Sequence, residues 1–186
     1  MKIRSNALKN VIACTFLFPI YIWGNKIEQV KENTDLQFYA QYLGCNVDSI
    51  PQIQGYERTE YLESGDDGST WKAFLFSCDG HNVVIMETNW LDSVHINRIT
   101  IVSEQIRKDD IFIGQSLENL KKKYHLTLES SQDGFLLLRL TEYPYMILQM
   151  DISMTSQGSS LWMGECRLDE IPLNIVVETI ILSNKE

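Results

Sequence analysis

Recognisable catalytic machinery is what this chain of 186 residues most conspicuously lacks. It has no Gly-x-Ser-x-Gly elbow to present an acyl-transfer serine and no Gly-x-x-x-x-Gly-Lys-Ser/Thr loop to cradle phosphates. It has no Cys-x-x-Cys pair either, so neither a zinc ribbon nor a thioredoxin-type redox centre is supported. His81, His95 and His125 are its only histidines, and no two stand at metal-ligand spacing. The acidic Ser64-Gly65-Asp66-Asp67-Gly68 stretch lacks EF-hand spacing and reads as a solvated turn. The expectation is a protein that is not an enzyme, with no catalytic residue, no metal site and no cofactor.

Another absence is positive information. The first 24 residues contain no acidic side chain, while Lys2, Arg4 and Lys9 precede an apolar run from Val11 to Trp23. A basic segment followed by a short apolar one is the layout of a secretory signal peptide, and the run falls short of the length that spans a bilayer comfortably. Residues 1–24 are therefore read as a signal peptide, or a short anchor if retained, with cleavage near Gly24. Cys14 lies inside the apolar run rather than after it, which argues against lipid attachment and leaves it an ordinary small apolar residue. The expected location is periplasmic or secreted, with no transmembrane span after cleavage.

Loss of that segment removes three basic residues and no acidic one, taking the formal charge from −9 to −12. A phosphate backbone is bound through Lys and Arg, so nucleic acid is excluded as a partner, and an anionic lipid surface is disfavoured. What remains, residues 25–186, is long enough for one domain with its own core. Cys45, Cys78 and Cys166 are an odd number of thiols in a compartment that tolerates disulfides, which permits one intramolecular bond in any of three pairings; Cys45 with Cys78 is favoured.

The pattern along the chain predicts an α+β fold, a mainly antiparallel sheet of about 6–8 strands in hairpins and meanders with two short helices. Thr34-Asp35-Leu36-Gln37 reads as a capping box, and Leu36, Tyr39, Ala40 and Leu43 fall on one helical face before Gly44. Trp71 to Cys78 and Asn82 to Thr88 flank Asp79-Gly80, a hairpin dipeptide, and His95 to Val102 supplies a third strand of a meander. Ser116 caps a second helix carrying Leu117, Leu120 and Tyr124 on one face and Lys121 to Lys123 at its C-terminal end. Strands follow at Leu126 to Glu129, Phe135 to Thr141, Tyr145 to Met154 and Ile175 to Leu182, and no internal repeat is legible. Trp162-Met163, beside the flexible Gly158-Ser159-Ser160, is the candidate binding surface.

The segment Ile96-Asn97-Arg98-Ile99-Thr100-Ile101, leading through Ser103-Glu104-Gln105-Ile106 to Ile111-Phe112-Ile113-Gly114-Gln115-Ser116-Leu117-Glu118-Asn119-Leu120, resembles a strand, linker and capped helix of the sigma-E-regulated envelope lipoproteins of enteric bacteria. Val176 to Leu182 is similar to their final strand, and the resemblance covers about a third of the chain. It implies an envelope location and an α+β fold, and no reaction. The expected function is thus a non-enzymatic envelope protein acting by binding another envelope component, its partner a protein of the envelope or a secreted effector. The alternative is an immunity or inhibitor protein that neutralises a secreted toxin or a wall-cleaving enzyme, for which a small acidic exported domain is suited by charge.

Overall fold

A computed structural model describes residues 33–131, 135–153 and 166–184. The chain opens with helix α1 (Leu36–Ala40) and a 3₁₀ turn at Val47–Ser49, then runs through β1 (Tyr56–Ser64), β2 (Thr70–Cys78), β3 (His81–Glu87) and β4 (Arg98–Ile101). A two-residue hairpin, β5 (Arg107–Lys108) and β6 (Ile111–Phe112), leads to helix α2 (Leu117–Lys121). β7 (Leu126–Ser130), β8 (Leu136–Leu140), β9 (Met146–Met150) and β10 (Val177–Ser183) follow. Eight of these strands form one sheet in the order β1-β2-β3-β4-β10-β9-β8-β7, antiparallel at every junction. The α+β class and the dominance of the sheet are as the sequence predicts.

The arrangement repeats, which the sequence did not disclose. A helix followed by a four-strand meander occurs twice, α1 with β1–β4 and α2 with β7–β10, and the final strands β4 and β10 pair at the centre. Each helix has five residues, an N-cap side chain and two buried apolar residues three apart: Leu36 and Tyr39 behind Asp35, Leu117 and Leu120 behind Ser116. An antiparallel central pair relates the halves by an approximate two-fold axis through the sheet, and that places both helices on the same face. There Leu36, Tyr39, Leu117 and Leu120 join Phe74, Met86, Ile99, Leu148 and Ile180 in a single core.

Local chemistry sets the boundaries. The Asp79-Gly80 turn has positive φ at both residues, 49° and 78°, the backbone twist that closes a tight hairpin. Gly44 at φ 76° ends the first helical segment as its composition implies. The capping-box reading needs correction: Asp35, not Thr34, is the cap, its carboxylate accepting from the Gln37 N–H at 3.0 Å. The helix also stops at Ala40, because Tyr42, Leu43 and Cys45 donate their N–H groups to carbonyls three residues back in tight turns. Strand β4 starts at Arg98 rather than His95, since the side chain of Asp92 takes the backbone N–H groups of Val94 and His95. Strand β9 ends at Met150, where Asp151 N–H turns to the Val176 carbonyl.

The open ends of the sheet are protected from pairing with other chains. Edge strand β1 carries Glu57, Arg58, Glu60 and Glu63, and opposite edge β7 is short and bulged between Leu128 and Ser130. Among the described residues no helix is long and apolar enough to cross a membrane.

Candidate binding face and its tryptophan pocket

Strand side chains alternate between faces, so the face opposite the helices can be read from the register. Across that outer face Leu75 lies opposite Ile85, Ile85 opposite Thr100, Thr100 opposite Ile181, and Ile181 opposite Ile147. None of these belongs to the core cluster, and Leu75, Ile85 and Ile181 are only half-buried. The outer face thus has an apolar middle that no described helix covers.

One row further along, Ala73 pairs with Glu87 and Glu87 with Arg98, and here the face becomes polar and tightly organised. Glu87 is 4% exposed, an unusual place for a carboxylate without partners. It has three donors. The Arg98 guanidinium grips it in a fork, Nε on Oε2 and Nη2 on Oε1, each at 2.7 Å, and the Trp71 indole N–H donates to Oε1 at 3.0 Å. The fork holds the Arg98 charge above its ordinary range, the hydrogen bonds to Glu87 outweighing the cost of burial. Trp71 and Arg98 are fixed in place by this one buried carboxylate.

They form part of the lining of a pocket of about 180 Å³, with Thr88, Asn89, Trp90 and Asn97. Its rim is the β3–β4 connection, a loop held by its own side chains. Asn89 Oδ1 accepts from the N–H groups of Leu91 and Asp92, and Asp92 Oδ1 from those of Val94 and His95. Neighbouring segments anchor its far end, Val47 N–H on the Val94 carbonyl, Ile96 N–H on that of Cys45 and Gly44 N–H on that of Ile96. Thr88 closes the near end, its hydroxyl bonded to both backbone groups of Lys72. On this fixed loop Trp90 is 61% exposed and Leu91 75%, with Val94 exposed beside them. A chain that shelters most of its large apolar residues offers these to solvent on a preordered backbone, a combination found at binding surfaces.

Set against protein-family models, curated proteins and solved structures, the chain matches none of them. The chemistry of the site rests on its own residues.

The histidines lie elsewhere. His95 Nδ1 meets Asp92 Oδ2 at 2.8 Å and His125 Nδ1 meets Glu142 Oε1 at 2.7 Å, both pairs on the surface, and neither ring lines the pocket. Both carboxylates are held below their usual range, Asp92 first by the Val94 N–H and then by His95, Glu142 first by the His125 ring. His81 begins β3 on the exposed side of its turn. Among the described residues no three His, Cys, Asp or Glu side chains gather as metal ligands. Asp67 is occupied in its own turn, accepting from the Ser69 N–H at 2.9 Å.

Cys45 and Cys78, the favoured pair of the three possible, both carry free thiols in this structure. Cys45 follows α1 with its thiol on the Gln41 carbonyl at 3.3 Å, whereas Cys78 ends β2 and points into the core. Cys166 is buried, and burial, then the nearby Glu170 and Asp169, push its thiol up, so it is a poor nucleophile. Trp162 and Met163 lie outside the described residues. The residues that sequence reasoning missed are Trp71, Glu87, Trp90 and Arg98. The available signal was a glutamate ending the apolar run Val83 to Met86, facing an arginine that opens the next strand.

Proposed function

We propose that this protein is an exported, non-enzymatic envelope protein that acts by binding another envelope component through the outer face of its sheet at the Trp71–Trp90 pocket and the Asn89–Asn97 loop. The observation that carries the reading is the loop itself: Trp90, Leu91 and Val94 are presented to solvent on a backbone fixed by Asn89 and Asp92, beside a pocket positioned by buried Glu87. Exposed aromatic residues on a rigid frame contribute contact area on binding without an ordering cost. The basic and apolar start of the chain supports export, and the resemblance at Ile96 to Leu120 supports the envelope.

Two experiments test it. The intact mass of the protein from fractionated cells should match a chain beginning near Asn25 in the periplasmic or secreted fraction; a full-length chain in the cytoplasm would overturn export. A photo-cross-linking residue at position 91 should then yield a discrete adduct in living cells, and one at Lys122, exposed at the C-terminal cap of α2, should not. Equal or absent adducts at the two positions would remove this loop as the binding site.

A further inference from the structure

We infer that the Trp71–Trp90 pocket is a saccharide site that takes one neutral hexopyranose ring, an inference that rests on the binding reading above and specifies its ligand. The lining has the chemistry of such a ring. A pyranose presents C–H groups on its faces and hydroxyls around its edge, so it is recognised by aromatic planes together with planar groups that donate and accept side by side. Trp71 and Trp90 supply the planes. The Trp71 N–H is already used on Glu87, which leaves its ring as what it offers, and Trp90 is exposed enough to stack on an incoming face.

The edge partners are equally specific. Arg98 spends Nε and Nη2 on Glu87, and among the described residues Nη1 has no acceptor, so that nitrogen remains to donate to a hydroxyl oxygen. Asn89 uses only its oxygen, on the Leu91 and Asp92 N–H groups, so its amide nitrogen still has two donors. The Asn97 side-chain amide has no partner among the described residues and offers both a donor and an acceptor. This set suits a group that both gives and takes hydrogen bonds, as a hydroxyl does.

Charge and size narrow the ligand. The Arg98 charge is matched by Glu87 within the site, and the chain as a whole is strongly acidic, so nothing draws in an anion such as a uronic acid or a phosphate. A volume of about 180 Å³ is below the ~300 Å³ at which drug-sized sites begin, which fits one ring with its neighbours in a chain lying across the open rim.

The test is a titration of the purified exported protein with two neutral probes, chitotriose and cellotriose, followed by tryptophan fluorescence and by the indole and amide signals in NMR spectra. One of them should give a saturable change at the Trp71 and Trp90 indoles. Trp90→Ala should weaken it by about tenfold or more, Asn97→Ala should weaken it as well, and Lys122→Ala, remote from the pocket, should leave it within about twofold. Because Trp90 and Lys122 are exposed and the Asn97 side-chain amide is bonded to no described residue, these variants keep the fold, and unchanged circular dichroism confirms it. If neither sugar produces a saturable change that Trp90→Ala removes, the saccharide assignment is wrong. In that case a protein adduct from the cross-linker at position 91 leaves the binding reading standing with a protein ligand, whereas absence of any adduct overturns both.

Discussion

Glu87 and Glu129 make an instructive comparison, because an arginine fork of the same geometry grips each, while Glu87 is the more buried carboxylate and also accepts from the Trp71 N–H. Arg98 binds Glu87 through Nε and Nη2 at 2.7 Å each, and Arg139 binds Glu129 through the same two nitrogens at 2.8 and 2.7 Å. The Glu87 side chain is 5% exposed and that of Glu129 39%. Replacing Glu87 by alanine deletes three acceptor contacts and leaves the Trp71 N–H and part of the Arg98 charge without a partner. Breaking a fully buried ion pair costs about 3–5 kcal/mol. Arg98 is itself 47% exposed and can turn toward water, which lowers the expected loss to roughly 2–3 kcal/mol. In a domain of this size that is a fall in melting temperature of about 5–10 °C. Glu129→Ala should cost only about 1 kcal/mol, because that carboxylate is exposed and Arg139, though 16% exposed, keeps the Pro144 carbonyl as a partner. Glu87→Gln keeps an acceptor for Trp71 and should fall between the two. Urea denaturation of the three variants with unchanged slopes measures the differences directly. If Glu87→Ala and Glu129→Ala agree within about 0.5 kcal/mol, burial is not what gives the Glu87 cluster its strength, and the account of a carboxylate that fixes Trp71 and Arg98 fails.

Leu148→Ala, in the core strand β9, should cost about 3–4 kcal/mol in the same assay, while Leu91→Ala should stay within about 0.5 kcal/mol, since one side chain is fully buried and the other 75% exposed. Gly80→Ala should cost about 1 kcal/mol through backbone strain alone, because φ is 78° and no atom stands within 4 Å of an added Cβ; a neutral result would mean the hairpin readjusts. The carboxyl of Asp92 is depressed below its ordinary 3.8, so its stabilisation of the loop is fully present above that value and is lost as pH falls through the lower folded one. Amide exchange at Val94 and His95 should therefore accelerate, after correction for intrinsic rates, only in that acidic window, and Asp92→Asn should remove the step.

The hairpins were legible because their turns are local: Asp79-Gly80 needs no distant residue to close, and Ser116 caps α2 by bonding Asn119 three positions on. Met146, Leu148 and Met150 alternate along β9 and are buried, and Ile147 between them is also only 9% exposed. That signalled a sheet whose second face is not simply solvated. Strand order was not legible, since nothing in β10 itself says that it pairs with β4, more than seventy positions earlier in the chain. The duplicated layout was hidden for a related reason, as its halves share a placement of caps and apolar residues rather than identical side chains. Trp71, Glu87 and Arg98 stand 16 and 11 positions apart and meet only through the register of three strands. The favoured pairing of Cys45 with Cys78 came from a count of thiols, which does not encode which way a side chain points.

The place of β10 has a consequence for how the molecule comes into being. Val177–Ser183 lies at the middle of the sheet, holding β4 on one side and β9 on the other, yet it is made after every other described strand. Until it arrives, the two meanders have no seam, and β4 and β9 each present an unpaired edge. Joining them is a long-range step of the kind that folds slowly. A protease that clipped the final turn before β10, or a stall just short of it, would leave two adhesive half-sheets in place of one domain.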